Sequence, residues 1–390
     1  MQTKAFLPLA ILSLVACCIE VDISVPGFPD IAHYFRVSDG MVQLTLAYNF
    51  LGFCCASLVY GPLSECYGRR KIMVFGNFLL LLGALGCVYS PSLYFLLVSR
   101  FIQGVGAAAS AVVVFAIVVD VYQKETAVKV ISIMNSLLTT LMAIAPVAGG
   151  FINKAIGWRG NYGIIALICF VSWVLLWLFL PETKEELTSL EPKKIMNDYK
   201  KLFSSSKFMN ASLLPSLLYA TYISFIACAS FLYIETFGMS LMAYAFHQAV
   251  IVACFSITSL FAGKLSRKIG AKNCVKGGMA ICMLGSLALV IVSLISPDSP
   301  CLMTICMIIF CIGFSIVYPV VFTASLEIFP ELKGTASSAI MCVRMLLCSL
   351  VVGLISYLYN GQPLMVSLAI ASIVSVAFIF SIHVYKNSNF

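Results

Sequence analysis

A chain of 390 residues in which 61% are hydrophobic and only 10% are charged departs from soluble globular composition, which runs at roughly 45–50% apolar and about 25% charged. The formal net charge of +8, from 24 Lys and Arg against 16 Asp and Glu, carries no nucleic-acid reading, because the basic residues sit in short loops between apolar runs. An integral, all-α membrane protein is what remains.

A span takes about 20 mainly apolar residues, and such runs recur twelve times, centred near Val15, Gly52, Leu80, Ala109, Met142, Phe170, Tyr222, Val252, Leu284, Ile312, Leu346 and Ile373. With the N-terminus inside, nineteen of the 24 basic residues fall on one face: Lys4, Arg69, Arg70, Lys71, Lys124, Lys129, six lysines from Lys184 to Lys207, Lys264, Arg267, Lys268, Lys272, Lys276, Lys333 and Lys386. Arg36, Lys154 and Arg159 lie on the other face, and Arg100 and Arg344 fall inside spans. Cytoplasmic loops are enriched in Lys and Arg, so this split supports the count of twelve and places both termini in the cytoplasm.

In chain order, the first apolar run holds Glu20 and Asp22 and lacks a small-residue cleavage site, so no cleavable signal peptide is expected. Most of the 16 cysteines, including the pairs Cys17-Cys18 and Cys54-Cys55, sit within apolar runs. They read as small buried hydrophobes rather than a disulfide framework. A basic, glycine-bracketed loop, Gly61-Pro62-Leu63-Ser64-Glu65-Cys66-Tyr67-Gly68-Arg69-Arg70-Lys71, joins the second and third runs. Residues 181–207, with six lysines and five acids, form the longest non-apolar stretch. They divide the chain into an N-terminal six-helix bundle (1–180), a cytoplasmic linker (181–207) and a C-terminal six-helix bundle (208–390). The bundles echo each other: Gly61, Leu63 and Gly68 match Gly263, Leu265 and Gly270 at a constant offset of 202. Parallel repeats of this kind place a substrate site near the membrane midplane, between the halves.

Ionisable groups inside spans are costly and mark function. The candidates are Glu20, Asp22, Arg100, Glu235 and Arg344. Glu20 and Asp22 are two residues apart on one helix and cannot share a face. Asp22 and Arg100 lie at similar depth, and the expectation is that they meet across the cavity. Glu235 is either a cavity acid or a solvated group at the end of the seventh span. Arg344 has no acid within a helical turn, so its partner comes from another helix, a carbonyl or the substrate, and an anionic or zwitterionic substrate suits it. Tyr48, Asn49, Tyr219, Tyr222, Tyr318 and Pro319 are candidate pocket residues, most of which serve packing. No nucleophile constellation, phosphate loop or metal-ligand spacing is present, so no catalytic activity, cofactor or metal is expected, and energy comes from a gradient.

Five segments together resemble the major facilitator superfamily, and within it the twelve-span drug:proton antiporters of the bicyclomycin/chloramphenicol-resistance (Bcr/CflA) branch. They are the 61–71 loop, Asp22 with Pro26 and Pro29, the run Arg100-Phe101-Ile102-Gln103-Gly104-Val105-Gly106, the run Pro146-Val147-Ala148-Gly149-Gly150, and Pro181-Glu182-Thr183. The resemblance implies two pseudo-symmetric six-helix bundles, alternating access, a monomer in the inner membrane, and proton-coupled efflux of amphipathic drugs. Transport of one metabolite, such as an amino acid, a nucleoside or a siderophore, is the alternative. It implies proton coupling through Asp22 and Arg100, with Glu20 an added proton site or an acid paired with a neighbouring helix. It also implies gating by Pro146, Gly149 and Gly150 and by a latch of Glu65, Arg69 and Asp120, with Glu65 also able to face the start of span eleven at Gly334 and Thr335. Glu65 stands where the family has Asp, Cys66 where it has Arg, and Leu141 and Ala145 where the span-five motif has Gly.

Overall fold

A computed structural model describes residues 3–387 apart from 123, 185, 186, 188 and 190. The side chains of Lys4, Lys124, Lys129 and Lys386, and the linker acids Glu185 and Glu186, lie outside the described residues. The described residues form fourteen α-helices with short 3-10 and π turns and no strand. Twelve helical segments are long and apolar enough to cross a membrane: Pro8–Phe35, Asp39–Tyr67, Arg69–Val88, Leu93–Val121, Ile133–Ile156, Trp158–Phe179, Ser206–Thr236, Leu241–Ile269, Ala271–Ile295, Pro300–Leu326, Pro330–Leu358 and Pro363–Val384. They are called spans one to twelve below, and each expected centre falls inside one of them.

Packing follows the repeat. Span two lies against four, three against four and six, and one against four, five and six; six spans later, eight lies against ten, nine against ten and twelve, and seven against ten, eleven and twelve. The two sets meet along two seams, span two with eleven and span five with eight. The repeated loops also share a backbone: Gly68 has φ 96° and ψ 150°, and Gly270 has φ 85° and ψ 149°, a region open to glycine and strained for other residues. The offset of 202 in the sequence is therefore an offset in conformation as well.

Span one is broken near its end. Its helix stops at Ser24, a 3-10 turn covers Val25–Gly27, and a second helix runs Phe28–Phe35. Pro26 and Pro29 lack the N–H that would continue the ladder, which leaves Asp22 in the last helical turn before the break.

The two ends of the bundle differ. At the end opposite the 61–71 loop, Cβ of a residue replacing Gly40 in span two would lie 2.0 Å from the Ser356 carbonyl oxygen in span eleven, and His33 Nε2 lies 3.2 Å from Glu235 Oε1. At the basic end the halves are joined by an element the sequence reading treated only as polar linker, the helix Pro192–Phe203. Its buried Tyr199 and Leu202 pack with Phe208, Ala336, Ala339 and Ile340. Tyr199 Oη donates to the Leu58 carbonyl of span two at 2.9 Å, while Lys201 Nζ pairs with Glu331 of span eleven at 2.9 Å.

Candidate functional site

Spans two and four approach closely because glycine faces backbone on both sides: a Cβ at Gly52 would sit 2.1 Å from the Phe101 oxygen, and one at Gly104 1.9 Å from the Asn49 oxygen. That closeness carries Asn49 to the polar centre of the first half. Its amide donates to Glu20 Oε1 at 3.1 Å and to the Arg100 carbonyl at 3.3 Å. Arg100 Nη1 reaches Glu20 Oε2 at 3.3 Å and Gln103 Oε1 at 2.8 Å, and its guanidinium carbon lies 5.7 Å from the centre of the Tyr162 ring. Arg100 is 0% and Glu20 1% exposed. The expected meeting of Asp22 with Arg100 is thus replaced by Glu20 with Arg100. The cause is helical rotation: the two acids point about 200° apart, and the face that sees span four carries Glu20.

Asp22 turns the other way. It is 2% exposed and has no hydrogen bond or ion pair among the described residues, and the 3-10 turn that follows it packs against spans seven and eight of the second half, which carry Tyr219, Tyr222 and Tyr244. Tyr219 and Tyr222 belong to an aromatic lattice with Phe255 and Phe314, with centroid separations of 4.9 Å for Phe255–Phe314 and 6.4 Å for Tyr222–Phe314. Phe314 in turn meets Tyr318 edge-on at 5.6 Å. Beyond it stands Arg344, which donates through Nη1 to the Tyr318 hydroxyl and makes no ion pair among the described residues. Pro319 lies inside span ten, one residue after Tyr318, without breaking the helix.

Gly149 and Gly150, adjacent on span five behind Pro146, face different halves. A Cβ at Gly149 would lie 2.3 Å from the Ile23 oxygen, next to Asp22, whereas one at Gly150 would lie 3.1 Å from Cβ of Ala245 in span eight. Small residues permit such approaches, so one short motif touches both the acid-bearing turn of span one and the seam between the halves.

At the basic end, Arg69 is 3% exposed and bonds Glu65 through Nη2, Asp120 Oδ2 through Nε at 2.9 Å and Ser64 Oγ through Nη1 at 2.6 Å. Glu65 also pairs with Lys184. Glu182, whose function the sequence reading left open, accepts from the backbone N–H groups of Arg69 at 2.8 Å and Arg70 at 3.2 Å. Those are unsatisfied donors at a helix N-terminus, where a carboxylate is favourable. Glu65, Gly334 and Thr335 line one cavity of about 520 Å³ with the linker helix. Glu65 therefore faces the start of span eleven across open space, without a hydrogen bond to it.

Two expected pocket residues lie elsewhere. Glu235 sits in the π turn Leu232–Thr236 that ends span seven and is taken up by His33, so it belongs to the end of the bundle opposite the 61–71 loop. Tyr48 is 39% exposed, because one helical position separates it from Asn49 and rotates it about 100° away from span four.

Twelve spans in two sets related by a repeat, joined along two seams and holding charged groups between them, define a polytopic membrane transporter. The chain belongs to the Major Facilitator Superfamily, whose family model matches residues 10–353. It is similar to the chloramphenicol resistance protein CraA of Acinetobacter baumannii, 25% identical over 361 residues that cover 92% of this chain and 87% of that protein. It is similar also to the multidrug resistance protein MdtM of Escherichia coli, 22% identical with 92% and 88% covered, and to a bicyclomycin resistance protein homolog of Haemophilus influenzae, 25% identical with 91% and 90% covered. Among solved structures, a D-xylose-proton symporter shares the fold, with a TM-score of 0.80 at 14% identity over 98% of this chain and 97% of that one. The resemblance to the Bcr/CflA-like branch holds, and the chain is a multi-pass inner-membrane transporter rather than an enzyme.

Removing one partner of a buried ion pair costs about 3–5 kcal/mol. Glu20→Gln is therefore expected to lower the thermal midpoint of the purified protein sharply, and Glu20→Gln with Arg100→Gln to recover most of the loss. Equal midpoints for the single variant and the wild type would show that the pair contributes nothing.

Proposed function

We propose that the protein exports amphipathic compounds in exchange for protons, as a monomer with both termini cytoplasmic. The two halves, 1–180 and 208–390, rock about the seams of spans two and eleven and spans five and eight, and residues 181–207 tether them. The observation that supports this reading best is the unlike treatment of two acids in one helix. Glu20 is committed to Arg100 inside the first half, whereas Asp22, without a partner, faces the aromatic lattice of the second. A carboxyl placed so is neutralised by whatever enters, a proton or a cationic group, and exchange of one for the other is antiport. The names of the relatives, which concern chloramphenicol, bicyclomycin and multidrug resistance, support the substrate side of the reading. A second reading, carriage of one metabolite, is favoured by a single observation, the unpaired Arg344.

The Glu65, Arg69 and Asp120 cluster acts in this scheme as the latch of the cytoplasmic gate. Arg69 is its hub, Glu182 anchors the turn that carries it, and the linker helix spans the same gate from Leu58 to Glu331.

Two outcomes follow. Asp22→Asn in proteoliposomes is expected to abolish substrate-dependent proton release; release equal to wild type would remove Asp22 from coupling. Arg69→Ala is expected to raise, severalfold, the labelling of a single cysteine placed at the cytoplasmic mouth of the cavity in an otherwise cysteine-free protein, and unchanged labelling contradicts the latch.

A further inference from the structure

Arg344 is the less usual of the two intramembrane arginines. It is 8% exposed, and its guanidinium carbon lies 5.3 Å from the ring centre of Tyr318, 5.5 Å from that of Tyr219 and 6.0 Å from that of Phe322. Aromatic faces stabilise a guanidinium and hold its plane, but they accept almost none of its hydrogen bonds. Of its five N–H donors, one on Nη1 is given to the Tyr318 hydroxyl. Arg100, at the corresponding cost of burial, is given the Glu20 carboxylate. Arg344 is given none, and the fork of an arginine is shaped for a planar anion, bound through two parallel bonds.

The complementary charge is Asp22, buried and unpaired on the facing half. Span seven links the two: it packs against the 3-10 turn that follows Asp22, and its Tyr219 ring centre lies 5.5 Å from the Arg344 guanidinium carbon. From it the lattice of Tyr222, Phe314 and Phe255 extends as a wall of mutually tilted rings, with only Tyr222 and Phe255 near parallel at 21°. One half of the protein thus contributes an acid and the other a guanidinium, neither of which has an opposite charge within ion-pair distance among the described residues, and the span that carries Tyr219 and Tyr222 touches the neighbourhood of both.

We propose that Asp22 and Arg344 are the two poles of a single substrate site that selects zwitterionic amphipathic compounds. The cationic amine is held at Asp22, the carboxylate at the Arg344 fork, and the apolar body lies on the Tyr219, Tyr222 and Phe314 rings. This deepens the export reading and rests on it for the placement of substrate between the halves. It also joins the halves through the ligand: a zwitterion bridges first half to second, which a singly charged compound does at one pole only.

The test uses three probes with one aromatic body: 4-(aminomethyl)benzoate, benzylamine and benzoate. Binding to the purified full-length protein is measured by calorimetry, and proton release is followed separately in proteoliposomes. The wild type is expected to bind the zwitterion at least about tenfold tighter than either singly charged probe, equivalent to about 1.4 kcal/mol. Arg344→Gln is expected to lose that advantage and to leave benzylamine affinity within about twofold, whereas Asp22→Asn loses the zwitterion and leaves benzoate. Arg344→Lys, which keeps the charge and loses the fork, falls between wild type and Arg344→Gln and serves if the glutamine variant does not fold. A wild type without preference for the zwitterion, or an equal loss of all three probes in a folded Arg344 variant, overturns the proposal. Because binding is read without a proton gradient, such a result leaves the export reading standing; absence of proton release with a zwitterion that binds tightly fails the export reading and not the two poles.

Discussion

Hydrocarbon does not solvate charge, and an ionised side chain held within a bilayer needs an opposite charge, a set of hydrogen bonds or an entering ligand. Much of this transporter can be understood from how that demand is met at four positions. Arg100 and Glu20 meet it for each other, with Gln103 accepting from Arg100 and Asn49 donating to Glu20, and the pair is closed within one half. Asp22 and Arg344 have no opposite charge within ion-pair distance among the described residues, and in the proposed scheme an entering ligand meets the demand. The same demand appears at the basic end, where Arg69 is nearly enclosed and satisfied by Glu65, Asp120 and Ser64.

Backbone packing makes these assignments specific. Asn49 reaches Glu20 because Gly52 and Gly104 bring spans two and four within a distance no larger side chain allows. Gly149 lets span five back directly onto the turn that carries Asp22, and Gly150 turns the same helix toward span eight. Span five therefore touches both span eight and the Ile23 carbonyl, one residue from the acid. The contact pattern of spans one to six recurs in spans seven to twelve, and the positive φ of Gly68 recurs at Gly270. Two copies of one arrangement thus carry different chemistry: the first holds acids and a paired arginine, the second holds tyrosines and an unpaired one.

The twelve spans and the repeat were legible in the sequence, because both rest on composition and on spacing along the chain. The grouping of Glu65, Arg69 and Asp120 was legible only through the family motif. What escaped was rotational and tertiary. Glu20 and Asp22 were seen to lie on different faces, yet which one meets Arg100 depends on the turn of span one against span four, and no local pattern states it. Glu182 was quoted as a motif member without a role, since its partners, the N–H groups of Arg69 and Arg70, lie more than a hundred residues away. The linker helix was hidden by its lysines, although Pro192 at its start and Ile195, Tyr199 and Leu202 at helical spacing carried the signal. Glu235 was ambiguous because its partner His33 belongs to the other half.

The central claim is that two acids two residues apart have divided their duties, Glu20 to structure and Asp22 to exchange. Substrate-induced infrared difference spectroscopy of the purified transporter reads carboxyl protonation directly. The account predicts a change in the carboxyl C=O region on substrate addition that persists in Glu20→Gln and disappears in Asp22→Asn. A signal that disappears with Glu20 and survives without Asp22 would contradict it.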